Sequence, residues 1–178
     1  MIETSRLILR QWTEDDIAPF AAINRNEQVM EYFPHRLSYD ETCDFYRRIT
    51  DEFADSGFGL YAVEQKETKE FIGYVGFHRF NFEACFSPGT EIGWRISPEY
   101  WNRGYATEAA KACLNYARHE NLFDRLYSFT AVCNRRSERV MQKIGMKYVR
   151  DFLHPALPDN HPLQKHVLYS IEIKMTPD

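Results

Sequence analysis

Apolar and polar residues alternate over Arg6-Leu-Ile-Leu-Arg10, which predicts a first strand. Thr13-Glu-Asp-Asp16 then has the polar, acidic character of a helix start, and Ile17, Phe20, Ala21 and Asn24 follow at helical spacing. Ser38-Tyr-Asp-Glu41 reads as a capping box. Beyond it Phe45, Ile49 and Phe53 recur on one helical face, so a second helix runs to about Gly57. Gly59 to Glu64 and Phe71 to His78 read as strands joined by a charged turn, an antiparallel hairpin. Phe80 to Pro88 is a Phe-rich loop, and Thr90 to Ile96 is the next strand. From Thr107 to about Glu120 a helix presents Ala110, Cys113 and Ala117 on one face, with Ala106 just before it; such small residues suit close packing on a sheet. Arg125 to Cys133 is a strand, Asn134 to Ile144 a short helix and Met146 to Leu153 a strand. A loop with three prolines, His154 to Pro162, leads to a final strand, Lys165 to Lys174.

The resulting order is β-α-α-β-β-β-α-β-α-β-β. Three strands in succession rule out the strict alternation of a doubly wound sheet, so the sheet is mixed and largely antiparallel in its first half. The expectation is an α/β fold of the α+β type, with about seven strands in a mostly antiparallel central sheet and about four flanking helices. No repeat, low-complexity stretch or linker divides residues 1–178, which are expected to form one domain.

Composition narrows the function. A 44% hydrophobic content supplies a substantial core, and the 15% aromatic content predicts ring-lined pockets. No apolar run approaches a membrane span, and the charged first residues do not read as a signal peptide, so a soluble, cytoplasmic chain is expected with no membrane partner. The net charge of −4 is built from interspersed signs, with no basic face for nucleic acid. Cys43, Cys85, Cys113 and Cys133 form no Cys-x-x-Cys pair. His154, His161 and His166 cluster without acidic or Cys partners, so no metal is expected.

The chemistry concentrates where the strand ending at Ile96 passes through Ser97-Pro98 into Asn102-Arg103-Gly104-Tyr105-Ala106, with a helix opening near Thr107. Gly104 and Ala106 allow backbone N–H groups to approach an anion, the helix start adds unpaired donors, and Arg103 adds charge. No Lys-Ser/Thr pair follows the glycine and no three-glycine spacing is present, which excludes a P-loop and a dinucleotide fingerprint. An elongated phosphorylated cofactor fits, although from these residues alone an empty strand–turn–helix connection fits too. Downstream, Asn134-Arg-Arg-Ser137 begins a short helix with Val140, Met141 and Ile144 inward and Gly145 at its end, where Asn134 serves as the cap.

Together the two segments resemble the GNAT superfamily of acyl-CoA-dependent N-acetyltransferases, and the resemblance covers essentially the whole chain. Gly104 and Ala106 match the family's pyrophosphate turn, Gln/Arg-x-x-Gly-x-Gly/Ala, with Trp101 where Gln or Arg is usual. Asn-x-x-Ser…Lys-x-Gly-Met, from Asn134, resembles the second cofactor motif. Glu-Thr-Ser-Arg-Leu-Ile-Leu-Arg at the N-terminus and Tyr-Trp-x-x-Gly-Tyr-Ala-Thr-Glu-Ala look most like the RimJ/RimL branch, which includes enzymes acetylating ribosomal-protein N-termini.

The resemblance implies the GNAT fold, acetyl-CoA as co-substrate and transfer to a primary amine by direct attack in a ternary complex. It implies backbone contacts to the CoA pyrophosphate from Asn102, Arg103, Gly104, Tyr105, Ala106 and Thr107. The strand at Trp94 and Ile96 would pair with pantetheine amides, a backbone N–H near Trp94 would polarise the thioester carbonyl, and Asn134 would contact the pantetheine arm. Ser137 would donate a proton to the thiolate, and Glu91 would act as general base, directly or through water; a solvated strand-end carboxylate is the plain alternative. Glu108 and Glu99 read as structural charges. The acceptor is expected between Tyr32, Phe33 and His35 and the loops Phe80–Ser87 and His154–Gln164. A peptide N-terminus or a small amine metabolite ranks ahead of a polyamine, and the chain is expected to be a monomer or homodimer. A non-catalytic acyl-CoA-binding module is the competing reading; it would need neither Glu91 nor Ser137.

Overall fold

A computed structural model describes residues 1–174. The strands are β1 (Ile2–Glu3), β2 (Leu7–Arg10), β3 (Leu60–Gln65), β4 (Phe71–Phe80), β5 (Gly89–Ile96), β6 (Arg125–Ala131), β7 (Lys147–Leu153) and β8 (Lys165–Glu172). The helices are α1 (Ile17–Arg25), α2 (Tyr39–Ser56), α3 (Tyr105–His119) and α4 (Arg135–Lys143), with short 3-10 turns at Glu14–Asp16 and Pro98–Tyr100. The strands form one sheet in the order β1-β2-β3-β4-β5-β6-β8-β7. All neighbours are antiparallel except β5 and β6. Eight strands therefore replace the seven expected. The addition is β1, whose Ile2 and Glu3 pair with Leu9 and Ile8, and two residues carry no readable period.

Both faces of the sheet are covered. On one, α3 lays Ala109, Ala110, Cys113 and Ala117 against Leu7, Leu9, Tyr61, Val63 and Ile92. Those small side chains let the helix sit close to the strands, as their spacing predicts. On the other face α1 and α2 cover Trp12, Leu60, Ala62 and Tyr74 with Phe20, Phe45 and Ile49. The local signals hold: Ser38 and Glu41 form a reciprocal capping box on α2, Gly57 (φ 73°) ends it, and Gly145 (φ 88°) follows the last residue of α4's cap.

One boundary moves. α3 begins at Tyr105 rather than near Thr107, because Gly104 takes a left-handed conformation (φ 80°) and becomes the N-cap itself.

The feature that positions the site is the β5–β6 pair. These parallel strands are joined at a single position, Glu91 opposite Tyr127. Beyond it they separate, which leaves the C-terminal half of β5 without a neighbour on that side.

Candidate active site

Ser97 donates its backbone N–H to Ile72 O at 2.8 Å, and Ile96 lies opposite Gly73 in the antiparallel β4–β5 ladder. Hydrogen-bonded and non-bonded pairs alternate along such a ladder. The N–H and C=O groups of Ile92, Trp94 and Ile96 therefore point away from β4; Ile92 N–H meets β6 at the Glu91–Tyr127 bridge, and the groups of Trp94 and Ile96 face the gap beyond it. The gap opens into a cavity of about 570 Å³ whose walls include Glu91, Trp94, Ile96, Gly104, Ala106, Thr107, Asn134 and Ser137. Asn102 and Tyr105 also line it.

At the rim, Asn102 (φ 59°) and Gly104 reverse the chain into α3. Glu108 N–H is the first of the helix to find an intrahelical acceptor, Gly104 O at 2.9 Å. Among the described residues, the N–H groups of Arg103 to Thr107 have no hydrogen-bond partner outside the helix. They form a set of converging donors at the positive end of the helix dipole, suited to a pyrophosphate. The Arg103 side chain departs from expectation. It is exposed, turns toward the Tyr100 ring at 5.8 Å and forms no part of the cavity wall. Arg136, Arg139 and Lys143 on α4 line the wall instead. Helical spacing puts these three on one face, a signal legible in the sequence once the gap beside α4 is known.

Trp101, the mismatch in the turn motif, donates its indole N–H to Ile96 O at 2.7 Å. One of the strand groups expected to meet a pantetheine amide is thus already engaged, while the N–H and C=O of Trp94 still face the gap. Arg136 stacks on Trp101 at 4.2 Å and pairs with Glu31 at 2.9 Å, so the indole also braces α4.

Asn134 caps α4 by accepting Ser137 N–H at 3.3 Å and donates to Thr130 Oγ1 at 2.9 Å. The cap ties α4 to β6 and leaves the half-buried Ser137 hydroxyl in the cavity wall. Glu91 lies across from it on β5, with its carboxyl pushed up to about 7 by burial; the charge of His78 opposes this and that of Glu52 adds to it. His78 is opposite Glu91 in the β4–β5 ladder and bonds Glu52 through Nδ1 at 2.8 Å, a contact that raises its own pKa. At the far end of the cavity His154 and His166 pack 5.0 Å apart. Burial lowers both, His166 to about 4, so at neutral pH they are uncharged wall.

The residues expected around the acceptor divide. Tyr32, Phe33, His154, Ala156 and Leu157 do line the cavity. His35 instead bonds Glu41 at 2.9 Å, and the Phe80–Ser87 loop packs its rings on Tyr127, Phe129 and Phe152, outside the wall. Arg95 carries no signal in the sequence: it lines the cavity and is only 7% exposed, although charged residues on alternating strands ordinarily face solvent. Among the described residues no group of three or more His, Cys, Asp or Glu side chains could hold a metal, and no helix is long and apolar enough to cross a membrane.

Known proteins share this architecture. The family model for the acetyltransferase (GNAT) domain matches residues 6–147. An uncharacterised N-acetyltransferase of Bacillus subtilis, YoaA, is 28% identical over 149 residues, which cover 83% of this chain and 82% of that protein. A GNAT-family acetyltransferase from Bacillus anthracis superposes with a TM-score of 0.80 at 27% identity, over 97% of this chain and 98% of the other. RimL, a ribosomal L7/L12 α-N-protein acetyltransferase in complex with coenzyme A, superposes with a TM-score of 0.76 over 95% of each chain; at 15% identity this is a likeness of fold. With a domain match over most of its length, on the same fold, the chain belongs to the GNAT family of acetyltransferases.

Proposed function

We propose that residues 1–178 act as a single N-acetyltransferase domain that moves an acetyl group from acetyl-CoA to a primary amine, a peptide N-terminal α-amine or a small amine metabolite, by direct attack in a ternary complex. The observation that carries this reading is one cavity with Glu91, the α3 N-terminus, the free edge of β5 and Ser137 in its walls. Its donor set fits the cofactor: N–H groups at Gly104 to Thr107 for the pyrophosphate, the Trp94 C=O and Ile96 N–H for pantetheine amides, and Arg136, Arg139 and Lys143 for further phosphate charge. When bound, acetyl-CoA supplies the acetyl group through its thioester, whose C–S bond breaks as the new C–N bond forms.

The chain's own residues manage orientation and protons. Glu91, held near 7, accepts the proton of the acceptor ammonium, directly or through one water, and frees the nitrogen lone pair. Trp94 N–H is the donor for the developing negative charge on the thioester oxygen. Ser137 Oγ donates a proton to the departing sulfur and takes back the one the nitrogen sheds as the amide forms, so the step closes with a single proton held by Glu91. No covalent enzyme intermediate is needed, because holding both substrates in one cleft already supplies proximity. Cys113, the buried thiol, is raised far out of the nucleophilic range by burial and sits on the sheet-facing side of α3, away from the cavity wall.

Thiol release from acetyl-CoA over a panel of primary amines, with mass detection of the N-acetyl product, tests the reading. Turnover on at least one amine is expected, reduced in Glu91→Gln and Ser137→Ala. CoA binding without thiol release on every amine would sink it in favour of a binding module.

A further inference from the structure

A second cavity, of about 310 Å³, lies under α2 on the opposite face of β5 from α3. It shares Phe33, Tyr74, Glu91, Gly93 and Arg95 with the larger one, so the two meet at β5. Glu91, Gly93 and Arg95 are two residues apart in a strand and occupy the same face. Gly93 lies between the charged pair, and a Cβ added there would meet nothing within 4 Å. The face is thus a hollow with a carboxylate at one end and a guanidinium at the other. Their Cα atoms are about 13 Å apart along the strand.

The Arg95 end is built for a ligand. A guanidinium this deeply buried ordinarily has a carboxylate partner. Among the described residues Arg95 has none, and the groups around it are neutral. Nη1 donates to Asn24 Oδ1 at 2.6 Å, and the fully buried Asn24 is itself fixed by donating to Thr42 Oγ1 at 3.2 Å. The rings of Phe33, Tyr74 and Phe45 surround the guanidinium carbon at 4.4, 5.5 and 5.7 Å. They stabilise the cation but take up no N–H group. Nε is a buried donor without any partner, and Nη2 forms no hydrogen bond among the described residues. Nε and Nη2 make up one edge of the guanidinium, the fork whose parallel N–H bonds match the two oxygens of a carboxylate or phosphate group; Nη2 is the point of entry, and Nε, closed off from solvent, joins the contact once the side chain turns toward the cavity.

The acidic groups of the cavity sit at its other end. Glu52 is occupied there by His78 Nδ1 and by the backbone N–H of Arg79, each at 2.8 Å, which leaves Glu91 to meet a cation; Arg48 is the remaining charged group of the lining.

Building on the acetyltransferase reading, we propose that Arg95 determines acceptor specificity: the acceptor is an amine that also carries a carboxylate or similar small anion, with its nitrogen toward Glu91 and its anion on the Nε/Nη2 fork of Arg95. The pocket is matched to a zwitterion, such as an amino acid or a short peptide end, and rejects amines that lack the anion.

The test compares glycine, β-alanine and glycylglycine with their carboxamides and with aminomethylphosphonate, in thiol-release assays at saturating acetyl-CoA. The anionic members are expected to exceed their carboxamides in kcat/KM by about tenfold or more, mainly through KM, as a charge-assisted bidentate contact predicts. The phosphonate arm separates carboxylate from phosphate-type acceptors. Arg95→Met and Arg95→Lys are expected to lose the preference with CoA affinity unchanged. Asn24→Asp, which gives Arg95 an internal carboxylate, is expected to lose it while the fold is kept. Equal kcat/KM for acids and carboxamides in the unaltered protein overturns the proposal. Calorimetry of N-acetylglycine against N-acetylglycinamide in the presence of CoA reads the preference without turnover. Absence of thiol release would count against acetyl transfer, whereas equal affinity of the two acetyl compounds would count against Arg95.

Discussion

Glu108, in the first turn of α3, binds Arg6 through Oε2, which takes the guanidinium Nε at 2.7 Å and also pairs with Nη2. Its Oε1 accepts the Thr4 hydroxyl at 2.6 Å and the Arg6 backbone N–H at 3.1 Å. Arg6 in turn donates from Nη1 to Arg103 O at 3.0 Å and stacks on the Tyr105 ring at 4.3 Å. The N-terminal Thr-Ser-Arg segment thus buttresses the anion-binding turn from behind. Glu108 is more than a first-turn charge; it is the joint between two segments a hundred residues apart in sequence.

Replacing Glu108 with Gln is expected to destabilise the fold by about 1–2 kcal/mol at pH 7, a value tempered by the exposure of Arg6. Partial burial raises the Glu108 pKa, but the bonds from Thr4 and Arg6 outweigh it and the net shift is downward. A carboxylate depressed in the folded state contributes stability above its unfolded pKa, about 4.3, and loses it as pH falls through the folded value. The gap between the two proteins in urea denaturation should therefore close below about pH 4.

Gly104→Ala tests the turn. The new Cβ would lie 3.6 Å from Arg6 Nη2, an ordinary contact, so the cost comes from the backbone at φ 80° and is about 1–2 kcal/mol. CoA affinity should weaken with it, by roughly tenfold if the turn relaxes, because the N–H groups lose their common aim. Unchanged affinity by calorimetry, in a variant with the expected loss of stability, would remove the turn from the cofactor site.

Ser137→Ala and Asn134→Ala separate chemistry from structure. The cap uses the backbone N–H of Ser137, which alanine keeps, so Ser137→Ala should alter stability by less than about 0.5 kcal/mol. Its kcat should nonetheless fall about tenfold or more if the hydroxyl returns the proton to sulfur. Asn134→Ala removes the cap and the link to Thr130, and should cost about 1 kcal/mol in stability in addition to any kinetic effect. Thermal melts and steady-state kinetics on both variants distinguish the two outcomes.

Glu91 carries two opposite dependences on pH. As a base whose carboxyl is pushed up to about 7, it should make kcat/KM rise through neutral pH, and Glu91→Gln should flatten that limb. The folded pKa lies above the unfolded one, so the group opposes folding increasingly from about pH 4 to about pH 7 and by a constant amount above that. Glu91→Gln should accordingly match the unaltered protein near pH 4 and exceed it at pH 8 by about 1–3 kcal/mol. A variant with an unchanged pH–rate profile would end the assignment of Glu91 as base.

Much of the architecture is local and was legible residue by residue. Ser38 meets Glu41, and Asn134 meets Ser137, within one turn of chain; Gly57 and Gly145 stop helices because their own φ is positive. The spacing of Ala106, Ala110, Cys113 and Ala117 marks the face of α3 that the sheet covers, and Ala109 joins them there. Thr107 is the first residue there with the look of a helix opening, whereas the chain uses Gly104 as the cap and starts α3 at Tyr105.

The sequence by itself determined these elements, their caps and the anion-binding turn, since each depends on interactions spanning only a few residues. Tertiary structure alone decided how β5 and β6 part after Glu91, because the alternation within each strand says nothing of its distance from a neighbour. It also decided the fate of Arg95. A strand pattern assigns a charged residue to the polar face, but α1 and α2 close over that face and bury the guanidinium beside Asn24 and Phe33. Such burial is set by helices packed from elsewhere in the chain, and no short-range rule contains it.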